Sequence, residues 1–197
     1  MRALNMSLVV MLGVCVGAGC SKDGANEPAP AASQGSEAPP VPATGSVPMT
    51  KLSDGQIAHI LAAVDDAEIE QAQLALEKAT DPGVKGYASH MIEQHTAAKD
   101  TGARLASQSG LQLAESPKAK ELQVKATQVL QELKAADAKN FDVTYLHGQE
   151  EQHAEVLTLI KDQLQPAVSD PTLRDHLANA RAMVSQHLDK AKELQKK

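Results

Sequence analysis

Apolar residues recur every three or four positions along the chain from Lys51 onward, which is the period of an α-helix. The last periodic segment is the clearest, because its stripe alternates by four and three and includes one histidine. That stripe consists of Leu173, Leu177, Ala180, Val184, His187, Ala191 and Leu194. Three other long segments and one shorter segment show the same period. The pattern therefore predicts an all-α fold.

Residues that start helices divide this region into five segments. A capping residue stands directly before proline at three places: Asp81-Pro82, Ser116-Pro117 and Asp170-Pro171. Ser53 is followed three residues later by Gln56, as in a capping box, and Pro166 is expected to close the fourth of the five helices. The predicted helices are 53–79, 82–109, 117–136, 138–165 and 171–196. Because the connections are short, we expect an up-down four-helix bundle, with 117–136 as an extra short helix that forms a cross-connection.

The first fifty residues have a different character, which predicts export. Residues 1–19 contain one arginine, a short apolar run and then small residues, as in a signal peptide. The sequence before Cys20 resembles the processing site of bacterial lipoproteins, so we expect Cys20 to be lipidated; the alternative is ordinary cleavage near Ala18. Residues 20–50 are rich in proline, alanine and serine and predict a disordered linker. Residues 51–197 would then form a periplasmic domain tethered to the bacterial cell envelope, at the outer rather than the inner membrane.

Composition and charge exclude several classes of function. The chain of 197 residues has 19 Lys+Arg against 25 Asp+Glu, a net charge of −6, two tyrosines, one phenylalanine and no tryptophan. A nucleic-acid-binding protein usually has a basic stripe or stacking aromatic residues, so we expect no nucleic-acid partner. There is no glycine-rich phosphate loop and no nucleophile-elbow motif. The expected membrane contact is the lipid anchor alone, and the sequence does not identify any protein partner.

Four long segments carry a polar residue within the apolar stripe: Glu68, His95, His153 and His187. Burying such groups is unfavourable unless they are paired or bound to a ligand. With a rise of about 1.5 Å per residue, Glu68 and His95 lie about 18 and 20 Å from the turn between their helices. His153 and His187 lie about 20 and 24 Å from theirs. All four residues are therefore expected near the middle of an antiparallel bundle. The other histidines, His59, His90, His147 and His176, fall largely outside the stripes and are expected at the surface.

These residues suggest a site for one metal ion. Glu150 and His153 have the Glu-x-x-His spacing that lets both side chains approach one ion, but a di-iron site would need a second such motif and more inward-facing glutamates. The candidate metal ligands are Glu68, His95, Glu150, His153 and His187. Imidazole-rich sites suit zinc or copper, and iron is a further possibility. Met91 and Met183, four residues before two of the histidines, would favour Cu(I) if they are ligands, but they also suit core filling.

Between about Ser53 and Leu194 the chain resembles an uncharacterised bacterial family, domain of unknown function 4142, which is grouped with ferritin-like bundles. The residues that carry the resemblance are Ala67-Glu68-Ile69-Glu70, Leu74-Ala75, Val84-Lys85, Met91, His95, Phe141-Asp142, Tyr145, His153, His187-Leu188 and Ala191. The resemblance implies a ferritin-like bundle in an exported or lipoprotein-like protein whose role is not established. The family commonly has Asp directly before the first histidine, where this chain has Gln94.

Three hypotheses about function follow from the sequence. The first is a tethered bundle with a small metal or polar site at mid-height and no assigned catalytic residue. The second is a structural or protein-interaction module of the cell envelope, in which Glu68 and the histidines form a buried hydrogen-bond network without metal. The third is an oxidoreductase with a di-metal centre.

Overall fold

A computed structural model describes residues 51–196 of the chain. Within this range the structure is helical, without a strand, and the predicted all-α bundle is confirmed. The helices are α1 Asp54–Lys78, α2 Pro82–Gln108, α3 Pro117–Ala135, α4 Phe141–Leu159, α5 Gln165–Ala167 and α6 Pro171–Leu194, with a π-helical turn, Ile160–Leu164, between α4 and α5. The predicted signal peptide, Cys20 and the linker to residue 50 lie outside the described residues.

The predicted start signals cap four of the helices. Ser53 accepts a hydrogen bond from the Gln56 backbone while the Gln56 side chain accepts one from the Ser53 backbone, which completes the capping box of α1. The side chains of Asp81, Ser116 and Asp170 cap α2, α3 and α6. Because these bonds form within a few residues, the sequence located the starts to within one residue.

The fourth predicted helix, 138–165, differs from its prediction at both ends. It begins at Phe141 rather than at 138, because the Asp137 carboxylate accepts the Asn140 backbone N–H and holds the intervening residues in a turn. Pro166 does not close it, since helical structure continues to Ala167. Proline cannot donate the usual backbone bond. In the π-turn before Pro166, the Gln165 N–H bonds to the Ile160 carbonyl, and this bond keeps the segment helical up to the proline.

Helix α3 runs parallel to α1 and carries the chain back along the bundle. At its start, the Ala114 N–H bonds to the Gly55 carbonyl near the first turn of α1. At its end, Lys78 from the last turn of α1 donates to the carbonyls of Leu133 and Ala136. The expected cross-connection is therefore present, and it makes α4 run in the same direction as α2.

Direction consequently alternates between spatial neighbours in the bundle, where α1 lies beside α2, α2 beside α6, and α6 beside α4. Asp142 at the start of α4 accepts backbone N–H groups of Thr80 and Asp81 at the α1–α2 turn. Asp54 at the opposite end accepts those of Ser169 and Asp170. The order up, down, down, up with one long crossover is the connection used in ferritin-like folds.

The core consists of two apolar clusters with a polar layer between them. The first cluster lies toward the N-terminal end of α1 and includes Ile57, Ile60, Leu164, Leu173 and Leu177. The second lies toward the C-terminal end of α1 and includes Ala75, Tyr87, Met91, Phe141 and Tyr145. The buried polar residues between them are Asp65, Glu68, Gln71, His95, Gln149, His153 and His187. None of the helices in residues 51–196 is long and apolar enough to cross a membrane.

Candidate metal centre

Three histidines from three helices meet in the polar layer: His95 of α2, His153 of α4 and His187 of α6. Each is only 1% exposed. One nitrogen of each ring lies within 4.8 Å of the corresponding nitrogens of the other two. The ring centroids are 5.1 Å apart for His95 and His187, 5.4 Å for His153 and His187, and 6.1 Å for His95 and His153. The separate helices thus bring three imidazoles to one point at the height that their sequence positions indicated.

The other nitrogen of each ring is held by a hydrogen-bond acceptor. His95 Nδ1 lies 2.8 Å from Asp65 Oδ1, and His153 Nδ1 lies 2.8 Å from the Gln149 carbonyl oxygen. His187 Nε2 lies 2.7 Å from Gln94 Oε1. Because all three partners are acceptors, each of these nitrogens carries the proton in the neutral ring. The unprotonated nitrogens are then His95 Nε2, His153 Nε2 and His187 Nδ1.

These three unprotonated nitrogens face one another without a donor. None of them has a hydrogen-bond partner among the described residues, although each is fully buried. Buried polar atoms without a partner are rare and unfavourable. Three converging lone pairs cannot hydrogen-bond to each other, whereas a cation would satisfy all three at once. The three histidines could therefore hold one metal ion.

The local environment favours the neutral form of His153 and His187. Burial lowers the pKa of His153. Burial, together with the neighbouring rings of His95 and His153, lowers the pKa of His187 to about 3. Neutral imidazole is the form that binds metals, so these two rings need not lose a proton at neutral pH before an ion can bind.

The sequence of this bundle matches the family model described as Domain of unknown function (DUF4142) over residues 39–194. The chain belongs to the DUF4142 family. No curated protein and no solved structure matches it. The resemblance noted from the sequence is thereby confirmed.

Glu68, the fourth residue expected in the site, lies behind one of the imidazoles. Its side chain is buried, and Oε2 accepts a hydrogen bond of 2.9 Å from Gln149 Nε2. Oε1 lies 3.9 Å from His153 Nδ1, on the protonated side of that ring and not on its metal-facing side. In this DUF4142 domain Glu68 thus stands outside the set of three converging nitrogens.

Glu150 does not join the site, which corrects the interpretation of the Glu-x-x-His spacing. Its side chain is 37% exposed, lies 4.0 Å from Lys192 and accepts a hydrogen bond of 2.8 Å from Gln195. Three residues along a helix rotate a side chain by about 300°, which leaves Glu150 about 60° away from the direction of His153. Here that difference turns the carboxylate toward the surface of α6, while Gln149 faces the core.

Asp65 supplies the carboxylate that the sequence did not locate. In this DUF4142 chain Gln94 does not orient His95, next to it on α2; it reaches His187 of α6, and His95 is oriented by Asp65 from α1. Burial raises the pKa of Asp65, and the hydrogen bond from His95 opposes that shift. Asp65 lies four residues after Leu61 and three before Glu68, so its helical period was the available signal.

His176 and the two methionines complete the comparison with the sequence. His176 was expected at the surface but is only 6% exposed. Together with Asp65 it lines a cavity of about 130 Å³. The backbone of α2 approaches His176 so closely at Gly102 that a Cβ there would lie 3.1 Å from His176 Nε2. Met91 belongs to the second apolar cluster and Met183 packs against the first. Both methionines therefore have the surroundings of core-filling residues.

Proposed function

We propose that this DUF4142 protein binds one metal ion inside its helical bundle through His95, His153 and His187. The observation that supports this function is the set of three buried, converging and unpartnered nitrogens, each on a ring whose other nitrogen is fixed. Outer hydrogen bonds of this kind set the tautomer and orientation of histidine ligands in metalloproteins. Three imidazoles leave a further coordination position for water or another small ligand.

The donor set favours a single zinc or copper ion. Imidazole suits both metals, whereas a di-iron centre of the ferritin-like type requires several inward-facing carboxylates. Glu68 lies behind His153 and Glu150 contacts α6, so neither carboxylate faces the three nitrogens. The arrangement thus argues for a mononuclear site and against the di-metal oxidoreductase hypothesis.

We also propose that the domain works at the bacterial cell envelope, with Cys20 as its lipid anchor. The apolar run, the small residues before Cys20 and the proline-rich segment after it support this placement. A metal-binding domain on such a tether would handle metal ions in the periplasm, close to the membrane surface. A test of the anchor is metabolic labelling with a radioactive fatty acid, which should be lost in Cys20→Ala.

Elemental analysis tests the metal-binding function directly. The full chain without an affinity tag is compared with His153→Ala/His187→Ala. The matched control is His147→Ala, because His147 lies on the same helix as His153 but is 63% exposed. We expect about one equivalent of zinc or copper in the wild type and the control, and none in the double variant.

The other outcomes point to the other hypotheses. Two equivalents of iron per chain would support the hypothesis of a di-metal centre and contradict the mononuclear site. Absence of bound metal, even after reconstitution with zinc and with copper, would overturn the proposed function. The histidines would then be part of a structural or protein-interaction module.

A further inference from the structure

Helix α1 buries two carboxylates one turn apart beside the three histidines. Asp65 is 6% exposed and Glu68 is 3% exposed. Like charges three residues apart on a helix repel each other, and buried charges are unfavourable unless they are compensated. The polar layer therefore needs a source of positive charge.

Lysine and arginine side chains do not supply that charge. Neither carboxylate forms an ion pair with a lysine or an arginine anywhere in residues 51–196. Lys99 lines the same cavity as Asp65 but pairs with Asp66 instead. The rings of His95 and His153 lie 2.8 and 3.9 Å from the two carboxylates, and His176 lines the same cavity as Asp65.

We propose that Asp65 and Glu68 make the three-histidine site selective for divalent over monovalent ions. This inference rests on the proposed function. Imidazoles bind a metal in their neutral form and then add no charge. A divalent ion would therefore bring +2 into the polar layer, which two ionised carboxylates would balance with −2. A monovalent ion such as Cu⁺ or Ag⁺ would leave one buried negative charge uncompensated.

Each carboxylate acts through an imidazole and not on the ion itself. Asp65 accepts the Nδ1–H of His95, the arrangement that raises the basicity of a histidine ligand and fixes its orientation. Glu68 is held by Gln149, whose backbone carbonyl accepts the Nδ1–H of His153. The two residues are therefore positioning residues, and a single imidazole ring separates each carboxylate from the ion.

The test measures Zn²⁺ and Ag⁺ affinities of the full chain at pH 7 by competition with chelators of known affinity. Ag⁺ serves as the monovalent ion because, unlike Cu⁺, it is not oxidised in air. The variants are Asp65→Asn, Glu68→Gln and the double variant. Each single substitution should weaken Zn²⁺ binding about 10- to 100-fold and Ag⁺ binding much less, so that the Zn²⁺/Ag⁺ affinity ratio falls.

The controls are Asp66→Asn and Glu70→Gln, which remove the same formal charges from exposed positions on the same helix. They should leave the affinity ratio within about twofold of the wild type, because exposed charges are well screened. Circular dichroism establishes that each variant is folded. Asp65→Asn and Glu68→Gln test the selectivity independently, so failure of one to fold leaves the other as the test.

Two failures are distinguishable in this experiment. If the wild type binds neither ion, the proposed function is wrong and the selectivity is wrong with it. If the wild type binds Zn²⁺ but the double variant keeps the same Zn²⁺/Ag⁺ ratio, or loses both ions equally, the carboxylates have only a structural role. Metal binding would then stand without the charge selectivity.

Discussion

The two apolar clusters and the polar layer between them are built from the same helices but are held together by different interactions. In the clusters, side chains such as Phe141 and Leu177 are fully buried and contribute through contact and exclusion of water. In the polar layer, buried side chains make specific hydrogen bonds, as His95 does with Asp65 of another helix and His153 does with a carbonyl of its own helix. The three nitrogens that face one another have no such partner among residues 51–196. The apolar clusters and the proposed metal site are thus separated along the bundle axis.

The largest effect is expected from breaking an apolar cluster. Phe141→Ala should lower the free energy of unfolding by about 3–5 kcal/mol, because a fully buried ring is replaced by a cavity. Denaturant unfolding measures this loss. Val143→Ala, at a position that is 69% exposed on the same helix, should change stability by less than about 0.5 kcal/mol. Metal content per folded molecule should stay unchanged in both variants; loss of metal in Phe141→Ala would show that the two regions are not independent.

Removing the metal should weaken the polar layer selectively. An ion that binds only the folded state, present at about 1,000 times its dissociation constant, stabilises the protein by about 4 kcal/mol. Chelation should therefore lower the melting temperature of the wild type in a thermal scan. The His153→Ala/His187→Ala variant should melt at the same temperature with and without chelator. A wild-type melting temperature that does not respond to the chelator would count against the site.

An apolar substitution in the polar layer should destabilise the protein even though it preserves volume. Gln94→Leu removes the acceptor of His187 Nε2 and leaves a buried N–H unpaired, which costs about 1–3 kcal/mol. Gln186→Leu, on the exposed side of α6, should be nearly neutral. Chemical denaturation of both variants makes the comparison. Equal stabilities would mean that the orientation of His187 does not depend on Gln94.

The most gradual effect is expected from pH in the metal-free protein. The pKa of His187 is about 3 in the fold, below its ordinary value of 6.5, so the unfolded chain binds an extra proton between these values. Stability contributed by the neutral ring is therefore present above pH 6.5 and is lost as pH falls toward 3. One such proton changes the free energy of unfolding by at most about 1.4 kcal/mol per pH unit. In His187→Gln the pH dependence should be shallower; an unchanged slope would contradict the lowered pKa.

The sequence predicted much of this fold because its signals are local. The capping bonds of Ser53 and Asp81 close within three residues, and the period of the apolar stripes follows from the helix alone. Counting residues from the turns also indicated that His95, His153 and His187 lie at similar heights. The position of a residue along the bundle axis depends only on the rise per residue, so it could be predicted from the sequence.

The direction of each polar side chain could not be read in the same way. Glu150 and Gln149 both lie one turn from His153, but only the neighbouring helices determine that Gln149 faces the core and Glu150 faces Lys192. His176 sits at the edge of a stripe, where the close approach of α2 at Gly102 buries it. For a residue at the edge of a stripe, the sequence does not determine whether the side chain is buried or exposed, because both directions are compatible with the helical period.

The residue pattern along the chain was enough to predict most helix boundaries, the order of the helices, the membership in the DUF4142 family and the similar positions of the three histidines along the bundle. The packing of the helices was needed to pair Asp65 with His95, 30 residues apart, to bring Gln94 to His187, and to make three lone pairs converge. The two kinds of interaction differ in range. Caps and periodicity act within a few residues, whereas a metal-binding geometry requires the packing of several helices to place atoms to within an ångström.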